Sequence, residues 1–463
     1  TISYPRQLML GASNDDELIY SMGCEIAEQL HRLGIHTNLS PVVDVNTNPL
    51  NPVISSRSFG ESPNYVAKMS YQYMKALQDN KILAFAKHFP GHGDTNIDSH
   101  LALPTISHSI ERIENIEILP FKYLIDKGLT GIMTGHLSVP ALDSTYTPAS
   151  MSKNIIDRYL KEQLKFNGLI ITDALNMKGA GISLSNKEKA IKAFMAGNDI
   201  LLMPDDIKEA IDTIKNAIEN GFIDENILKT KCIKILQAKY WIGLNNRPAP
   251  IDTTNLLKDL NKPKYQLTLQ KLIESSITVI KNDDDILPIK NLDTLNIAIL
   301  SIGKKDTSIF QKTCSLYTNV NFYSLNSNDS DSLFNNTFNN LKKYNLIIAA
   351  ITNTDMNFSK KFGVTDKTIS FLQKVSDSLN TVIVIFGSPY IIDRFNKIDK
   401  FKSIVISYED KKAVQSITAQ LIFGAIPSKG KLTVTSFNRE IKNNFGIKTN
   451  NIVRTKYTIP EEI

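Results

Sequence analysis

Between Lys87 and His100 the chain reads KHFPGHGDTNIDSH, which gathers three of its seven histidines, two aspartates and a lysine into fourteen residues. Two glycines and a proline exclude one regular helix here, and the stretch directly follows the apolar run Ile82-Leu83-Ala84-Phe85-Ala86. Polar groups on a loop after a strand are placed as a catalytic loop would be. Three readings compete. In the first, the histidines cap strands and satisfy buried backbone groups in a polar turn. In the second, His88, His92 and His100, with Asp98, ligate a metal such as zinc and serve a metal-dependent hydrolase. The objection is geometric: His-x3-His binds one ion most naturally on a helix, and Pro90 and Gly91 interrupt that spacing. In the third, Asp98 stands two residues before His100 in a tight turn, holds one ring nitrogen and leaves the other to move protons.

Acid–base chemistry needs a partner, and the stretch Gly168-Leu169-Ile170-Ile171-Thr172-Asp173 offers one. Five residues of buried-strand character end in an aspartate that should point into the mouth of a sheet. Asp173 reads equally well as the N-cap of a following helix or as a carboxylate nucleophile. A carboxylate nucleophile with a separate proton donor is what a retaining glycosidase requires, the two groups standing about 5 Å apart.

The elements that must position these groups alternate along the first half. Strands are expected at Asn38–Val45, Ile82–Phe89, Gly131–Ser138, Gly168–Ala174 and Asp199–Pro204. Helices are expected near Asn64–Asp79, Ser109–Asp126, Lys153–Leu164, Asn186–Met195 and Asp206–Glu219. Near-continuous apolar strands alternating with helices imply a parallel sheet buried on both faces. Asp44, Lys87, His88, His136, Asp173 and Asp205 all fall at or just beyond the C-terminal strand ends. Active groups gather there in a (β/α)8 barrel, and equally at the switch point of an open doubly wound sheet. Five strands are visible, so a closed barrel needs its N-terminal strands upstream of Thr1. The opening Thr1-Ile2-Ser3-Tyr4-Pro5, without an initiator Met, fits a start partway into a longer polypeptide, with any export signal upstream.

The expected organisation is a catalytic (β/α) domain over 1–244, a linker over 245–265 with three prolines, and a second, smaller α/β domain over 266–463. All seven histidines precede residue 137, so imidazole chemistry belongs to the first domain. In the second, apolar runs at Ser276–Ile280, Leu295–Ile302, Asn345–Ala350, Thr381–Phe386 and Ser403–Ser407 alternate with helical patterns at Asp366–Leu379 and Lys411–Phe423, and Ser324–Asn336 reads as a polar loop. At 463 residues and 42% apolar content the chain has room for two domains. Its net charge of +6 is spread along the chain, without the Lys/Arg run interleaved with aromatics that nucleic acid would require. No apolar stretch is long enough to span a bilayer. Cys24, Cys232 and Cys314 read as small buried hydrophobes rather than a disulfide framework or a zinc knuckle.

The Lys87–His100 loop resembles the signature loop of family 3 glycoside hydrolases that are β-N-acetylglucosaminidases acting on peptidoglycan fragments. Leu39-Ser40-Pro41-Val42-Val43-Asp44-Val45 is similar to that family's third barrel strand, Ser56-Arg57-Ser58-Phe59-Gly60 to its arginine loop, and Ile171–Met177 to its nucleophile strand. Ser276–Ile289 and Phe423–Thr435 look like the opening and close of the family's second domain. The resemblance implies that Asp173 is the nucleophile forming a covalent glycosyl-enzyme, His100 the general acid/base and Asp98 its orienting partner. It implies that Arg57, Lys87 and His88 hydrogen-bond the sugar in the subsite for N-acetylglucosamine; His92, between Pro90 and Gly93, reads as shaping the turn rather than binding metal. An aspartate and an arginine of the family's second strand belong to a segment this sequence does not contain. The chain departs from many relatives in having Ala174 where they carry a second Asp after the nucleophile.

What the resemblance implies for function is a retaining exo-β-N-acetylglucosaminidase releasing terminal β-linked N-acetylglucosamine from muropeptide-type glycans, without cofactor or metal. A non-catalytic sugar-binding protein is the other alternative. A neutral imidazole does not repel an anionic acceptor as a carboxylate would, so phosphorolysis stands open beside the expected hydrolysis. Two-domain relatives tend to be cell-envelope or exported enzymes, the location the resemblance implies. Oligomeric state is not legible in the sequence.

Overall fold

The computed structural model describes every residue except 182, 247–249, 438–440, 450–451 and 463. The chain divides into two compact units, Thr1–Ile2 with Ile19–Lys262, and Ser3–Leu18 with Pro263–Ile463.

In the first unit four strands lie side by side in chain order: β1 (Thr37–Asn38), β2 (Leu83–Phe89), β3 (Gly131–Thr134) and β4 (Leu169–Thr172), all parallel. Single bridges at Val42–Lys87 and Ile171–Ile200 add to it. The sheet's register decides what shares a face. Lys87 pairs with Met133 and Met133 with Ile171, so these three form one row. Side chains two apart on a strand share that face. Leu83 and Phe85 on β2, Met133 on β3, and Leu169 and Ile171 on β4 accordingly form one buried apolar cluster. The next same-face positions, Lys87 on β2 and Asp173 after β4, carry charge. The apolar layer thus gives way to ionisable groups at the C-terminal strand ends.

Two of the expected strands are largely irregular. Along 38–45 pairing is confined to the start and to Val42, because Pro41 has no N–H for a ladder; the Ser40 and Pro41 carbonyls instead accept from the Phe85 and Lys87 N–H groups at 3.0 and 3.2 Å. Along 199–204 only Ile200 bridges, since the Leu202 N–H is taken by the Thr172 hydroxyl at 2.9 Å. The expected helix at 109–126 is two helices, Ile110–Asn115 and Leu119–Asp126, the second with Pro120 in its first turn, where a missing N–H costs nothing. Lys153–Leu164 is π-helical over Asn154–Gln163. Helices Asp16–Arg32 and Glu225–Trp241 were outside the sequence pattern read above. Part of the 245–265 stretch is tied to the first unit: Arg32 pairs with Asp259 at 2.9 Å and donates to the carbonyls of Asp252 and Thr254.

The second unit holds a six-stranded sheet: β5 (Thr278–Asn282), β6 (Ile297–Ile302), β7 (Val320–Leu325), β8 (Leu346–Ile351), β9 (Thr381–Ile385) and β10 (Ser403–Ile406). The spatial order is β5-β10-β9-β8-β6-β7, parallel throughout except that β5 runs against β10. Strands β6, β8 and β9 are buried along their whole length, as a sheet covered on both faces requires. Leu8, Met9 and Ala12, on the helix Gln7–Ala12, join this core, and the Ala12 carbonyl accepts from the Lys431 N–H at 3.0 Å. The expected polar loop at 324–336 is overturned. Helix Asp331–Leu341 begins inside it, capped by Ser330, because Phe334, Phe338 and Leu341 recur at helical spacing and are buried.

All three cysteines are free; Cys314 is buried and Cys24 half-buried, but Cys232 is exposed. On Glu225–Trp241 the inward row is Lys231, Ile235 and Ala238, continued by Ile242 just past the helix end, and Cys232 lies off it.

Candidate active site

The C-terminal ends of β1 to β4 open on a cavity of about 180 Å³ lined by Arg57, Lys87, His88, His92, Ser99, His100 and Asp173, with apolar walls from Leu39, Val53, Met133 and Leu202. Of the residues assigned a catalytic or sugar-binding role in the sequence, Arg57, Lys87, His88, His100 and Asp173 line this cavity and Asp98 does not, although it bonds His100; Asp44, His136 and Asp205, noted only as strand-end residues, are not part of its lining.

Asp173 follows β4 directly, its N–H donating to the Thr134 carbonyl at 2.9 Å. It is not a helix cap: the next helical turn starts at Lys178, with Met177 as its N-cap. Burial opposes the charge of its carboxyl, but His88, His136, the Ala174 N–H and Lys87 outweigh that and hold it below the usual carboxylate range. Asp173 is therefore anionic at neutral pH. Lys87 is pushed down, first by burial and then by the Arg57 guanidinium, with Asp173 and Asp44 pulling the other way.

Asp98 and His100 form a local pair. Asp98 Oδ1 accepts from the His100 backbone N–H at 2.8 Å and lies 2.7 Å from Nδ1. The pair is the open part of the site, the side chains being 60% and 30% exposed for His100 and Asp98.

The rest of the loop is held from beneath by a residue that the sequence reading placed at a strand end but did not assign to the site. Asp44 is fully buried and accepts the His88 N–H at 3.1 Å, the His92 N–H at 2.7 Å and His88 Nδ1 at 2.8 Å. One carboxylate thereby fixes the end of β2, the turn after it and the His88 ring. The other His88 nitrogen faces Arg57 at 3.3 Å. The charges of His88 and its hydrogen bonds overcome burial and depress the Asp44 pKa. The signal in the sequence was an aspartate in the apolar run Pro41-Val42-Val43-Asp44-Val45, a buried charge that needs partners. His136 was likewise missed as a neighbour of Asp173; it bonds Ser150 at 2.7 Å and the Ala174 carbonyl at 3.0 Å, and burial holds its pKa down.

His92 is wholly enclosed. Its ring nitrogens meet the Thr95 hydroxyl at 2.7 Å and the Ser99 hydroxyl at 3.0 Å, and burial pushes its pKa down to about 4. Both nitrogens are engaged in fastening the loop that carries Asp98 and His100. Gly93 permits this packing: a Cβ there would lie 1.8 Å from the Val45 carbonyl oxygen.

With this geometry, comparison with known proteins is decisive at the level of the family. The model of the glycosyl hydrolase family 3 N terminal domain matches residues 2–238. The chain belongs to glycosyl hydrolase family 3. It is 32% identical over 345 residues to the beta-hexosaminidase A of Pseudoalteromonas piscicida, covering 70% of this chain and 54% of that protein. It is 28% identical over 294 residues to the beta-N-acetylglucosaminidase/beta-glucosidase of Cellulomonas fimi, covering 61% and 51%. The chain thus spans about half the length of these curated relatives. Among solved structures, the family 3 beta-N-acetylglucosaminidase of Paenibacillus sp. str. FPU-7 superposes with a TM-score of 0.79 at 25% identity, over 94% of this chain and 82% of that one. Within the family, the first unit is the barrel-type α/β domain and the second an α/β sheet domain.

Proposed function

We propose that this family 3 chain is a glycoside hydrolase that removes terminal β-linked N-acetylglucosamine with retention, by way of a covalent glycosyl-enzyme. The observation that carries the reading is that one cavity joins an anionic, half-enclosed carboxylate, Asp173, to an imidazole, His100, whose Nδ1 is held by Asp98. In the first step Asp173 attacks the anomeric carbon while protonated His100 gives its proton to the leaving oxygen. In the second, neutral His100 takes a proton from water, which attacks the anomeric carbon and releases Asp173. Asp98 fixes the tautomer and stabilises the imidazolium. Arg57, Lys87 and His88 sit around the same cavity and supply donors for the sugar hydroxyls.

The cavity is smaller than sites for drug-sized ligands, which suits one sugar ring entering end-on and therefore exo action. Relatives named for hexosaminidase activity support the N-acetylglucosamine preference. A muropeptide-type glycan of the cell envelope is the natural source we assign. The test is trapping: a 2-fluoro glycoside with a good leaving group should label one peptide, the one containing Asp173, and block turnover. Labelling elsewhere, or rapid turnover without a trapped adduct, rejects the reading.

A further inference from the structure

At the other end of the first unit's strands lies a second cavity, of about 570 Å³. Phe166 and Asn167 line it just before β4, and Asp199 just before the Ile200 bridge, so it opens at the N-terminal strand ends, away from Asp173. Three lysines converge on it: Lys161, Lys231 and Lys234. Two of them have carboxylate partners, Lys161 with Asp157 at 2.8 Å and Lys234 with Asp199 at 2.6 Å. Lys231 has none among the described residues, although it is only 6% exposed. Its ammonium gives one hydrogen bond, to the Asn198 carbonyl at 2.5 Å, and lies 4.8 Å from the Phe194 ring centroid. An ammonium has three N–H donors, and a buried cation without a counter-charge is costly. Three cations against two anions leave the site one negative charge short.

The backbone is shaped to bring the cations together. Gly197 has φ +114, and a Cβ there would come within 2.2 Å of Asp157 Oδ1 and 2.6 Å of Lys161 Nζ. Lys161 also donates to the Gly197 carbonyl at 2.7 Å, next to the carbonyl that Lys231 uses. Around the lysines stand the polar groups of Asn167, Asn226 and Thr230, with Phe166 and Ile227 as apolar wall.

We propose that this cavity is a binding site for a small organic oxyanion, a carboxylate or phosphate head on a partly apolar body, with Lys231 as its counter-charge. The cavity exceeds what a bare inorganic ion needs, which is why the ligand carries a body. The Lys231 ammonium is pushed down to about 8, by burial first and then by the repulsion of Lys161, which the charges of Asp199 and Asp157 offset only in part; a bound anion would add to that offset. The site is separate from the glycosidase cleft, so this reading stands or falls independently of Asp173.

The experiment is thermal unfolding of the whole chain and of Lys231→Met, with inorganic phosphate in one arm and acetate in the other, each against sodium chloride at equal ionic strength. Methionine keeps the volume and removes the charge. At least one oxyanion should raise the Tm of the unsubstituted chain saturably, and Lys231→Met should weaken that apparent affinity tenfold or more. Which arm responds tells phosphate from carboxylate. Any phosphate binding in the catalytic cleft remains in both proteins and cancels. Equal responses in the two proteins, or none beyond chloride, overturn the proposal. Should Lys231→Met fail to fold, Lys234→Gln, at a more accessible place on the same wall, should weaken the same response; an unchanged response there overturns it too.

Discussion

Asp173, His100 and His92 are an aspartate and two histidines whose surroundings give each a different task. Asp173 keeps its charge because cationic and hydrogen-bonding neighbours outweigh burial. Asp173→Asn removes the proposed nucleophile with almost no change of shape, so kcat should fall by about 10³-fold or more, roughly 4 kcal/mol of barrier, with an unchanged circular dichroism spectrum. His100 is exposed and, among the described residues, its ring pairs with Asp98 alone. His100→Ala should therefore slow alkyl glycosides far more than activated aryl glycosides, because only the former need a proton on the leaving oxygen; equal losses would remove the acid role. His92 is enclosed and held neutral, its pKa lowered to about 4 by burial. In the unfolded chain a histidine titrates near 6.5, so between about pH 6.5 and 4 the unfolded state takes up a proton that the native state does not. His92 thus lowers stability as pH falls through that window, by at most about 1.4 kcal/mol per pH unit. Urea unfolding at stepped pH should show a shallower acid slope for His92→Asn than for the parent, even though that variant is less stable at pH 7.

At the scale of elements, the Lys87–His100 loop is held by strand β2 and by Asp44 more than by its own sequence. Parallel register puts Lys87 and Asp173 above a shared apolar layer, and Asp44 ties the loop to the β2 end by three hydrogen bonds. Hydrogen bonds to a buried charge contribute about 1.5–3 kcal/mol each, and asparagine keeps an acceptor oxygen. Asp44→Asn should then cost about 3 kcal/mol of stability at neutral pH, read from denaturant midpoints, and raise KM as His88 loses its fixed orientation. The sign of its pH dependence is opposite to that of a carboxyl raised by burial. Because the folded pKa of Asp44 is depressed, its contribution is present above about pH 3.9 and is lost as pH falls through the folded pKa, so the variant and the parent should converge in strong acid.

At the scale of the whole molecule, each unit carries its own apolar core, one across β2 to β4 and one around β5 to β10. Chains with separate cores often unfold in more than one step. Calorimetry should resolve two transitions, and Ile348→Ala, a fully buried position on β8, should lower one of them by about 2–5 kcal/mol and leave the other in place. Much of this architecture is legible in the one-dimensional chain because local chemistry writes it there. Alternation of apolar strands and helices shows two α/β halves. Gly and Pro between His88 and His100 show a loop, and the two-residue spacing of Asp98 and His100 is short enough for the turn itself to make the pair. What tertiary structure alone decides is everything that depends on partners far apart in sequence. Asp44 reads as one more polar residue until its three donors arrive from 44 to 48 positions away. The segment 3–18 joins the second unit through contacts more than 400 residues distant. Lys231 looks like a surface residue on a mixed helix until folding buries it beside two other lysines. Sequence determines which groups are present and how their immediate neighbours turn the chain; only packing sets their burial and their distant partners, and these decide charge, pKa and role.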